Sequence, residues 1–138
     1  MRPGYPAAMA VPLNDAVRAL VDGRNYATLA TLDPGGGPQT SAMWVGRDGD
    51  DLLFSTIAGR RKERNIRRDP RVSVTIMDRA DPERYTEVRG LARISAEGGR
   101  ALDEQLSWKY DGKPAGEDAP GAQRVVVRVT PMRVTGRL

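Results

Sequence analysis

The 138-residue sequence predicts a single, mainly β domain spanning residues 1–138, a β-barrel with short helices. Six or seven antiparallel strands and two or three helices are expected to form a small closed or split barrel. Two observations lead to this prediction. Short segments rich in β-branched and apolar residues alternate with turn sequences along most of the chain. The segments are too closely spaced for the crossover helices of a doubly wound parallel sheet.

The first part of the chain combines an irregular arm with one helix. Residues 1–12 (MRPGYPAAMAVP) contain three prolines and one glycine, which favour irregular backbone. The sequence LNDAVRALVDG then predicts a short helix that Asn14 or Asp15 caps and Gly23 ends. The apolar stripe of this helix consists of Leu13, Val17, Leu20 and Val21.

Three strands are predicted before the middle of the chain. Residues 26–33 (YATLATLD) form the first, and the turn PGGGP separates them from the second, residues 39–48 (QTSAMWVGRD). A tight turn at GDD leads into the third strand, residues 52–56 (LLFST), so that the second and third strands form a hairpin.

The remaining strands lie in the second half of the chain. Residues 71–78 (RVSVTIMD) are nearly continuous in apolar character, and residues 84–95 (RYTEVRGLARIS) form a long strand. Gly90 within the latter predicts a bulge or a close approach of two backbones. Residues 123–138 alternate in polarity and then break at Pro131, which gives one or two closing strands. A helix over residues 99–110 and the loop KPAGEDAPGA precede them.

The composition excludes several kinds of active site. The chain contains neither Cys nor His, so it lacks thiolate metal sites, the commonest zinc ligand and any Ser-His or Cys-His nucleophile. We expect no metal site. If the protein is an enzyme, a bound cofactor is therefore expected to carry the difficult chemistry. The absence of a long apolar window and of a signal-peptide core predicts a cytoplasmic protein without a membrane span.

One segment concentrates positive charge. Six cationic residues lie between Arg60 and Arg68 against a single acid, Glu63, which gives nine residues a net charge of +5. The segment ends at Asp69-Pro70, so a helix from about Gly59 to Asp69 is expected. Three interpretations follow: a nucleic-acid surface, a solvated helix face without a ligand, or a site for a phosphate-bearing small molecule.

The three interpretations make different demands on the sequence. Binding of nucleic acid by stacking requires aromatic residues, and this chain has seven in total, so we expect no nucleic-acid partner. A solvated helix would pair Glu63 with Arg60 and Arg67, which leaves other cations without local partners. A phosphate site is favoured because Ser55 and Thr56 end a strand just before the helix N-terminus, where backbone N–H groups and cations converge.

The same region resembles a known family. The series PQTSAMWV, GDDLLFST, GRRKERNIRRDPRVSV and YTEVRGLARI is similar to the flavin/deazaflavin oxidoreductase superfamily, which shares the FMN-binding split β-barrel of pyridoxamine 5′-phosphate oxidase. The branch most similar by motif is the actinobacterial set that uses the deazaflavin coenzyme F420. The resemblance extends from about Tyr26 to Ile94. It implies a homodimer with two cofactors at the interface.

The resemblance also implies roles for individual residues. One group would lie beside the tricyclic ring, consisting of Ser41, Ala42, Met43 and Trp44. A second group would hold the phosphate and the ribityl-like chain, consisting of Ser55, Thr56, Arg60, Lys62 and Asn65, with Arg61 in support. Met77 and Asp78 would lie near the ring edge, and residues of the second chain around Trp108 would complete each pocket. Arg67, Arg68 and Arg71 recur with the motif and have either a binding or a structural role, the latter with Asp69 as partner.

The resemblance implies an F420-dependent reductase that transfers a hydride between the coenzyme and a small, conjugated organic substrate. Two alternatives stay open: an FMN-dependent oxidoreductase and a non-catalytic protein that binds or carries F420. Tyr85 and Tyr110 are candidate proton donors, and the sequence does not choose between them. The loop KPAGEDAPGA matches the family loosely, so the identity of the substrate is open.

Overall fold

The computed structural model describes residues 9–138 and confirms a mainly β chain. Its elements in chain order are α1 Asp15–Asp22, β1 Ala27–Leu32, β2 Pro38–Met43, β3 Gly46–Asp48, β4 Asp51–Ile57, α2 Arg61–Arg68, β5 Arg71–Met77, β6 Tyr85–Ser95, α3 Gly99–Asp111 and β7 Arg124–Arg137. Residues 1–8 of the predicted N-terminal arm lie outside the described part. Residues 9–12 precede α1, and the Val11 amide donates to the Pro131 carbonyl at 2.9 Å.

The seven strands of the described chain form one antiparallel sheet with the order β2-β1-β5-β6-β7-β4-β3. Its two edge strands, β2 and β3, are joined by residues 44 and 45 alone. Two residues allow Met43 and Gly46 to lie at most about 11 Å apart, whereas the edges of a flat seven-stranded sheet are separated by about 29 Å. The sheet must therefore curve until its edges nearly meet, which produces a barrel split between β2 and β3.

The interior of the barrel is filled by alternate residues of the strands. In β4 and β5, and in β7 as far as Pro131, every second side chain is buried, as expected for strands with one face toward a core. Phe54, Leu29, Ile76 and Val127 have no exposed surface. Because a side-chain period of two fixes the strand register, this core determines which residues point outward into the candidate site.

The sequence signals for α1 are confirmed. The Asn14 side chain accepts a hydrogen bond from the Val17 amide at 2.9 Å, so Asn14 is the N-cap, and Gly23 is the C-cap. Val17, Leu20 and Val21 are buried. Within residues 9–138, no helix has the length and apolar character that crossing a membrane requires.

The predicted single strand over residues 39–48 is wrong. The structure divides it into β2 and β3, because Trp44 and Val45 leave the ladder. The Val45 amide donates to the Tyr110 hydroxyl at 3.2 Å, and its carbonyl accepts from the Lys109 ammonium at 2.7 Å. Both backbone groups of Val45 are therefore bonded to α3 side chains and not to a neighbouring strand.

The predicted irregularity at Gly90 is confirmed. The register between β6 and β7 shifts between Arg89 and Gly90, and a Cβ atom on Gly90 would lie 2.1 Å from the Thr130 carbonyl oxygen. Only glycine allows the two backbones to approach so closely. The chain does not break at Pro131: β7 continues through this residue as one strand, with Pro131 opposite Gly90 at the shift.

Candidate functional site

The cavity that gathers most of the predicted site residues, called the main cavity below, lies beside the split of the barrel and has a volume of about 340 Å³. A larger hollow of about 580 Å³ lies between the end of α2 and β6. Parts of β2, β4, α2, α3 and β7 meet at the main cavity. Its lining residues are Tyr26, Ala42, Met43, Trp44, Ser55, Thr56, Arg60, Lys62, Asp103, Leu106 and Arg124. Seven of these were predicted from the sequence as cofactor-binding residues, and the structure brings them together on one cavity wall.

The end of β4 brings two hydroxyl groups to the cavity. Ser55 donates its hydroxyl hydrogen to the Gly99 carbonyl at 3.0 Å, which ties β4 to the start of α3. Thr56 is 1% exposed, and its Oγ1 atom has no hydrogen-bond partner among the described residues. Buried hydroxyl groups are nearly always bonded, so Thr56 is unusual among the residues that line the cavity.

The chain then turns into α2 at Gly59, whose φ of +93° favours glycine. The Glu63 carboxylate accepts a hydrogen bond from the Gly59 amide at 2.8 Å and pairs with Arg67. The predicted pair between Glu63 and Arg60 does not form. Glu63 therefore stabilises the turn through the Gly59 amide and Arg67, whereas the charged residues of this turn that line the cavity, Arg60 and Lys62, are cations.

Arg60 and Lys62 are the cations at the N-terminal end of α2 that line the main cavity. Neither side chain makes a hydrogen bond or an ion pair with another residue of the described chain. Partial burial, and then the charge of Arg60, lower the pKa of the Lys62 ammonium below its ordinary value. Two neighbouring cations without counter-ions raise the local potential, and a bound anion would neutralise it.

Two other predicted phosphate ligands lie outside the cavity lining. Asn65 is 2% exposed, and its amide donates to the Thr31 hydroxyl and the Asp33 carboxylate, each at 3.0 Å. Arg61 pairs with the same carboxylate through its Nε atom at 2.9 Å. The hydrogen bonds from Arg61, and then from Asn65, lower the pKa of Asp33. In this arrangement both residues attach α2 to β1, and so they orient the helix that carries Lys62.

The arginines that follow in the motif have protein partners. Arg67 pairs with Glu63. Arg68 donates to the Asn65 side-chain oxygen at 3.0 Å. Arg71 pairs with Asp69 at 2.7 Å. These contacts agree with the structural interpretation of the three arginines.

The residues predicted to flank a ring lie at the end of β2. Ala42 is exposed, Met43 packs partly against the core, and Trp44 has one face against the buried Tyr110. The Trp44 and Tyr110 rings are stacked, with centroids 5.6 Å apart and planes within 6° of parallel. Ser41 does not line the cavity, and its hydroxyl accepts a hydrogen bond from the Gln39 side chain at 2.9 Å.

The opposite wall was missed by sequence reasoning. Asp103 on α3 is 7% exposed, and Arg124 at the start of β7 pairs with it at 3.4 Å and with Asp118 at 2.8 Å. Arg124 holds the pKa of Asp118 down to about 2. A second cavity of about 200 Å³ shares Trp44, Asp103 and Arg124 with the main one, so this wall separates two adjoining spaces.

Three more predicted site residues lie away from the main cavity. Met77 at the end of β5 is half exposed. Asp78 accepts hydrogen bonds from the Ala80 and Asp81 amides at 2.8 and 3.3 Å and thereby forms a turn. Trp108 is 54% exposed, and its indole nitrogen donates to Glu104 at 2.8 Å. Within one chain, none of the three contributes to the cavity wall.

Comparison with known proteins places the chain in a family. The profile of the pyridoxamine 5′-phosphate oxidase family matches residues 13–137. A solved F420 reductase is 35% identical with a TM-score of 0.80, and the match covers 89% of this chain and 98% of that one. A conserved hypothetical protein from Mycobacterium tuberculosis is 29% identical with a TM-score of 0.71, over 92% of this chain and 85% of that one.

A more distant structure shares the fold. The general stress protein 26 of Bacillus anthracis is 22% identical with a TM-score of 0.65, and the match covers 84% of this chain and 86% of that chain. The family match extends over nearly the whole length of the chain and includes every element of the main cavity. This chain therefore belongs to the pyridoxamine 5′-phosphate oxidase family, whose split-barrel members are oxidoreductases of the flavin and deazaflavin type.

Proposed function

We propose that this protein is an F420-dependent reductase, which transfers a hydride between the deazaflavin coenzyme and a small, conjugated organic substrate. One observation carries the proposal: the unpaired cations Arg60 and Lys62 and the unbonded Thr56 hydroxyl line the same cavity. The 35% identity to an F420 reductase supports the choice of coenzyme.

The residues present fit the phosphate of such a coenzyme. A phosphate oxygen accepts hydrogen bonds, and Thr56 has a hydroxyl hydrogen without an acceptor in the described structure. Arg60 and Lys62 supply positive charge, and the turn at Gly59 leads into the N-terminus of α2, where the helix dipole favours an anion. The binding roles of Ser55, Thr56, Arg60 and Lys62 form part of the proposal.

The residues at the other end of the cavity fit a flat ring. Ala42 has a small side chain that lets a ring approach the β2 backbone, and Met43 and Trp44 offer apolar surface. When bound, the coenzyme supplies the hydride-donating carbon. The protein's own contribution is to hold the ring, fix the orientation of the substrate and exclude water.

The proton that accompanies the hydride requires a separate source. The Tyr110 hydroxyl donates to the Asn25 carbonyl at 2.7 Å, so its hydrogen is already engaged, and Tyr85 does not line the main cavity. Neither tyrosine is a favoured donor in this arrangement. We propose that the proton comes from solvent.

We further propose that the functional unit is a homodimer. Tyr26 and Met77 flank the paired residues Ala27 and Ile76 at one end of the sheet, and they are 53% and 50% exposed. Exposed apolar residues at neighbouring positions favour an interface. Met77, Asp78 and Trp108, which lie outside the cavity of their own chain, would then border the cavity of the second copy.

The proposal is tested by titrating the purified protein with coenzyme F420 and following its fluorescence. Quenching that saturates at micromolar coenzyme is expected, and its absence would remove the proposal. A protein that is yellow as purified and binds only FMN would favour the FMN-dependent alternative. If the coenzyme binds but no member of a panel of enones, quinones and tetrapyrroles is reduced, the carrier alternative is favoured.

A further inference from the structure

Trp44 occupies a special position, because it lines both the main cavity and the second cavity. It is also the first residue after β2, where the edge of the sheet turns toward β3. The direction in which its indole points therefore depends on the backbone of Trp44 and Val45, which no strand holds. Two consecutive residues near the end of α3 hold it instead.

Tyr110 is the first of these residues. Its hydroxyl donates to the Asn25 carbonyl at 2.7 Å and accepts from the Val45 amide at 3.2 Å. Its ring lies parallel to the Trp44 indole at 5.6 Å. One side chain thus fixes both the backbone after Trp44 and the plane of the indole ring, and Tyr26 packs against it at 5.3 Å.

Lys109 is the second. Its ammonium donates to the Val21 carbonyl at 2.6 Å and to the Val45 carbonyl at 2.7 Å. It therefore joins the C-terminal end of α1 to the junction between β2 and β3. The ammonium also lies 4.9 Å from the centre of the Tyr110 ring, within cation–π range. Hydrogen bonds from a charged donor are stronger than those from a neutral amine.

We propose that Lys109 is a positioning residue: its charged ammonium, together with Tyr110, sets the orientation of Trp44 in the site, and loss of its proton loosens that orientation. This deepens the proposed function, on which it depends for the role of the cavity. The class of ligand affected is one with a flat ring that contacts the indole.

The groups around Lys109 make a proton loss in an accessible pH range expected. Asp22 of α1 faces it, but Arg47 of β3 pairs with Asp22 at 2.8 Å, so little negative charge remains for Lys109. Tyr110, whose ring lies under the ammonium, is a further titratable neighbour. Burial lowers the pKa of Lys109 to about 8, and the charge of Asp22 only partly opposes this. Deprotonation relieves the desolvation of the charge and at the same time weakens both hydrogen bonds to carbonyl groups.

The experiment uses the fluorescence of Trp44 in the full-length protein without cofactor. Trp108→Phe leaves Trp44 as the single tryptophan. Its emission is recorded from about pH 6 to about pH 9.5, and we expect a transition with a midpoint of about 8. Adding Lys109→Met should abolish this transition, whereas Lys109→Arg should keep the low-pH emission throughout because arginine stays charged.

The control separates Lys109 from other groups. The tyrosines and the terminal amino group remain in the Lys109→Met protein, so a transition that persists there would overturn the proposal, as would a flat profile in the parent. If Lys109→Met does not fold, as judged by circular dichroism, the Lys109→Arg profile decides. Tyr110→Phe, which keeps the ring and removes the hydroxyl, should shift Trp44 emission at all pH values.

A second readout connects the residue to the site. With FMN as the probe, Lys109→Met should weaken binding by about threefold or more at neutral pH, the scale of a coupled contact. Unchanged FMN affinity together with an altered Trp44 emission would show that the indole is not part of the ring site. Failure of coenzyme F420 to bind the parent protein would overturn the proposed function, while the measurement of Trp44 emission would still decide the role of Lys109.

Discussion

Replacement of Lys62 by alanine is the most direct perturbation of the proposed phosphate site. In the free protein Lys62 lies on the cavity wall, has no partner in residues 9–138 and has a pKa lowered first by burial and then by Arg60. Removing it therefore removes no protein contact of the ammonium. The free energy of unfolding should stay constant or rise, because a partly desolvated charge is lost.

The bound state is affected differently. A hydrogen bond between a charged lysine and a phosphate contributes about 1.5–3 kcal/mol, but part of this offsets the repulsion between Lys62 and Arg60 in the free protein. We expect Lys62→Ala to weaken coenzyme binding by at least about 1 kcal/mol, or about fivefold in Kd. Lys62→Arg, which keeps the charge, should recover part of the loss.

The assay is fluorescence quenching of coenzyme F420 at fixed, physiological ionic strength, with urea unfolding of the free proteins in parallel. Arg133→Ala is the matched control, because Arg133 is exposed, lies outside the cavity lining and its removal changes the net charge equally. An affinity that is unchanged in Lys62→Ala, or reduced equally in both variants, would show that the phosphate does not bind at this turn.

Three further outcomes test other features. Thr56→Val should raise the free energy of unfolding by about 1 kcal/mol, because an unbonded buried hydroxyl is removed, and should lower the affinity for the coenzyme. Thr31→Val removes a hydroxyl that is bonded, so it should lower the free energy of unfolding by about 1–3 kcal/mol in the same urea titration. Gly90→Ala should lower the free energy of unfolding by about 1–3 kcal/mol, since the added Cβ meets the opposite backbone. Gly116→Ala is the control: Gly116 has open space around it, so thermal unfolding should change little. The pKa of Asp118 is held at about 2, below the ordinary unfolded value of about 3.9. The ion pairs of Asp118 therefore stabilise the fold above about pH 4. In urea titrations, the stability advantage of the parent protein over Asp118→Asn should disappear between about pH 4 and pH 2.

The parts of the fold that the sequence predicted are those with local causes. The Asn14 cap, the alternation in β4 and the bulge at Gly90 each depend on a residue type at a given position in its own segment. The division of residues 39–48 had no such cause. Val45 leaves the strand because side chains more than sixty positions away bind its amide and carbonyl.

In the candidate site, too, the predicted features have local causes and the missed features have tertiary causes. The turn from Ser55 to Lys62 was predicted because hydroxyls, glycine and cations lie within eight residues. Asp103 and Arg124 were missed, since the approach of α3 to β7 is a tertiary contact. A Cβ on Gly99 would lie 2.4 Å from the Arg124 backbone. The close approach of α3 to β7 therefore requires a glycine at position 99, and this glycine is the sign of that contact in the sequence. The cofactor-binding roles themselves stay predictions.

The place of β7 in the sheet determines how the barrel is completed. This strand pairs with β6 on one side and with β4 on the other, so it joins the four strands β2-β1-β5-β6 to the pair β4-β3. Until residues 124–137 have been synthesised, β4 and β6 each present an unpaired edge, and such edges invite association between nascent chains. Mutations that slow the docking of β7 should therefore reduce the yield of folded protein more than its final stability.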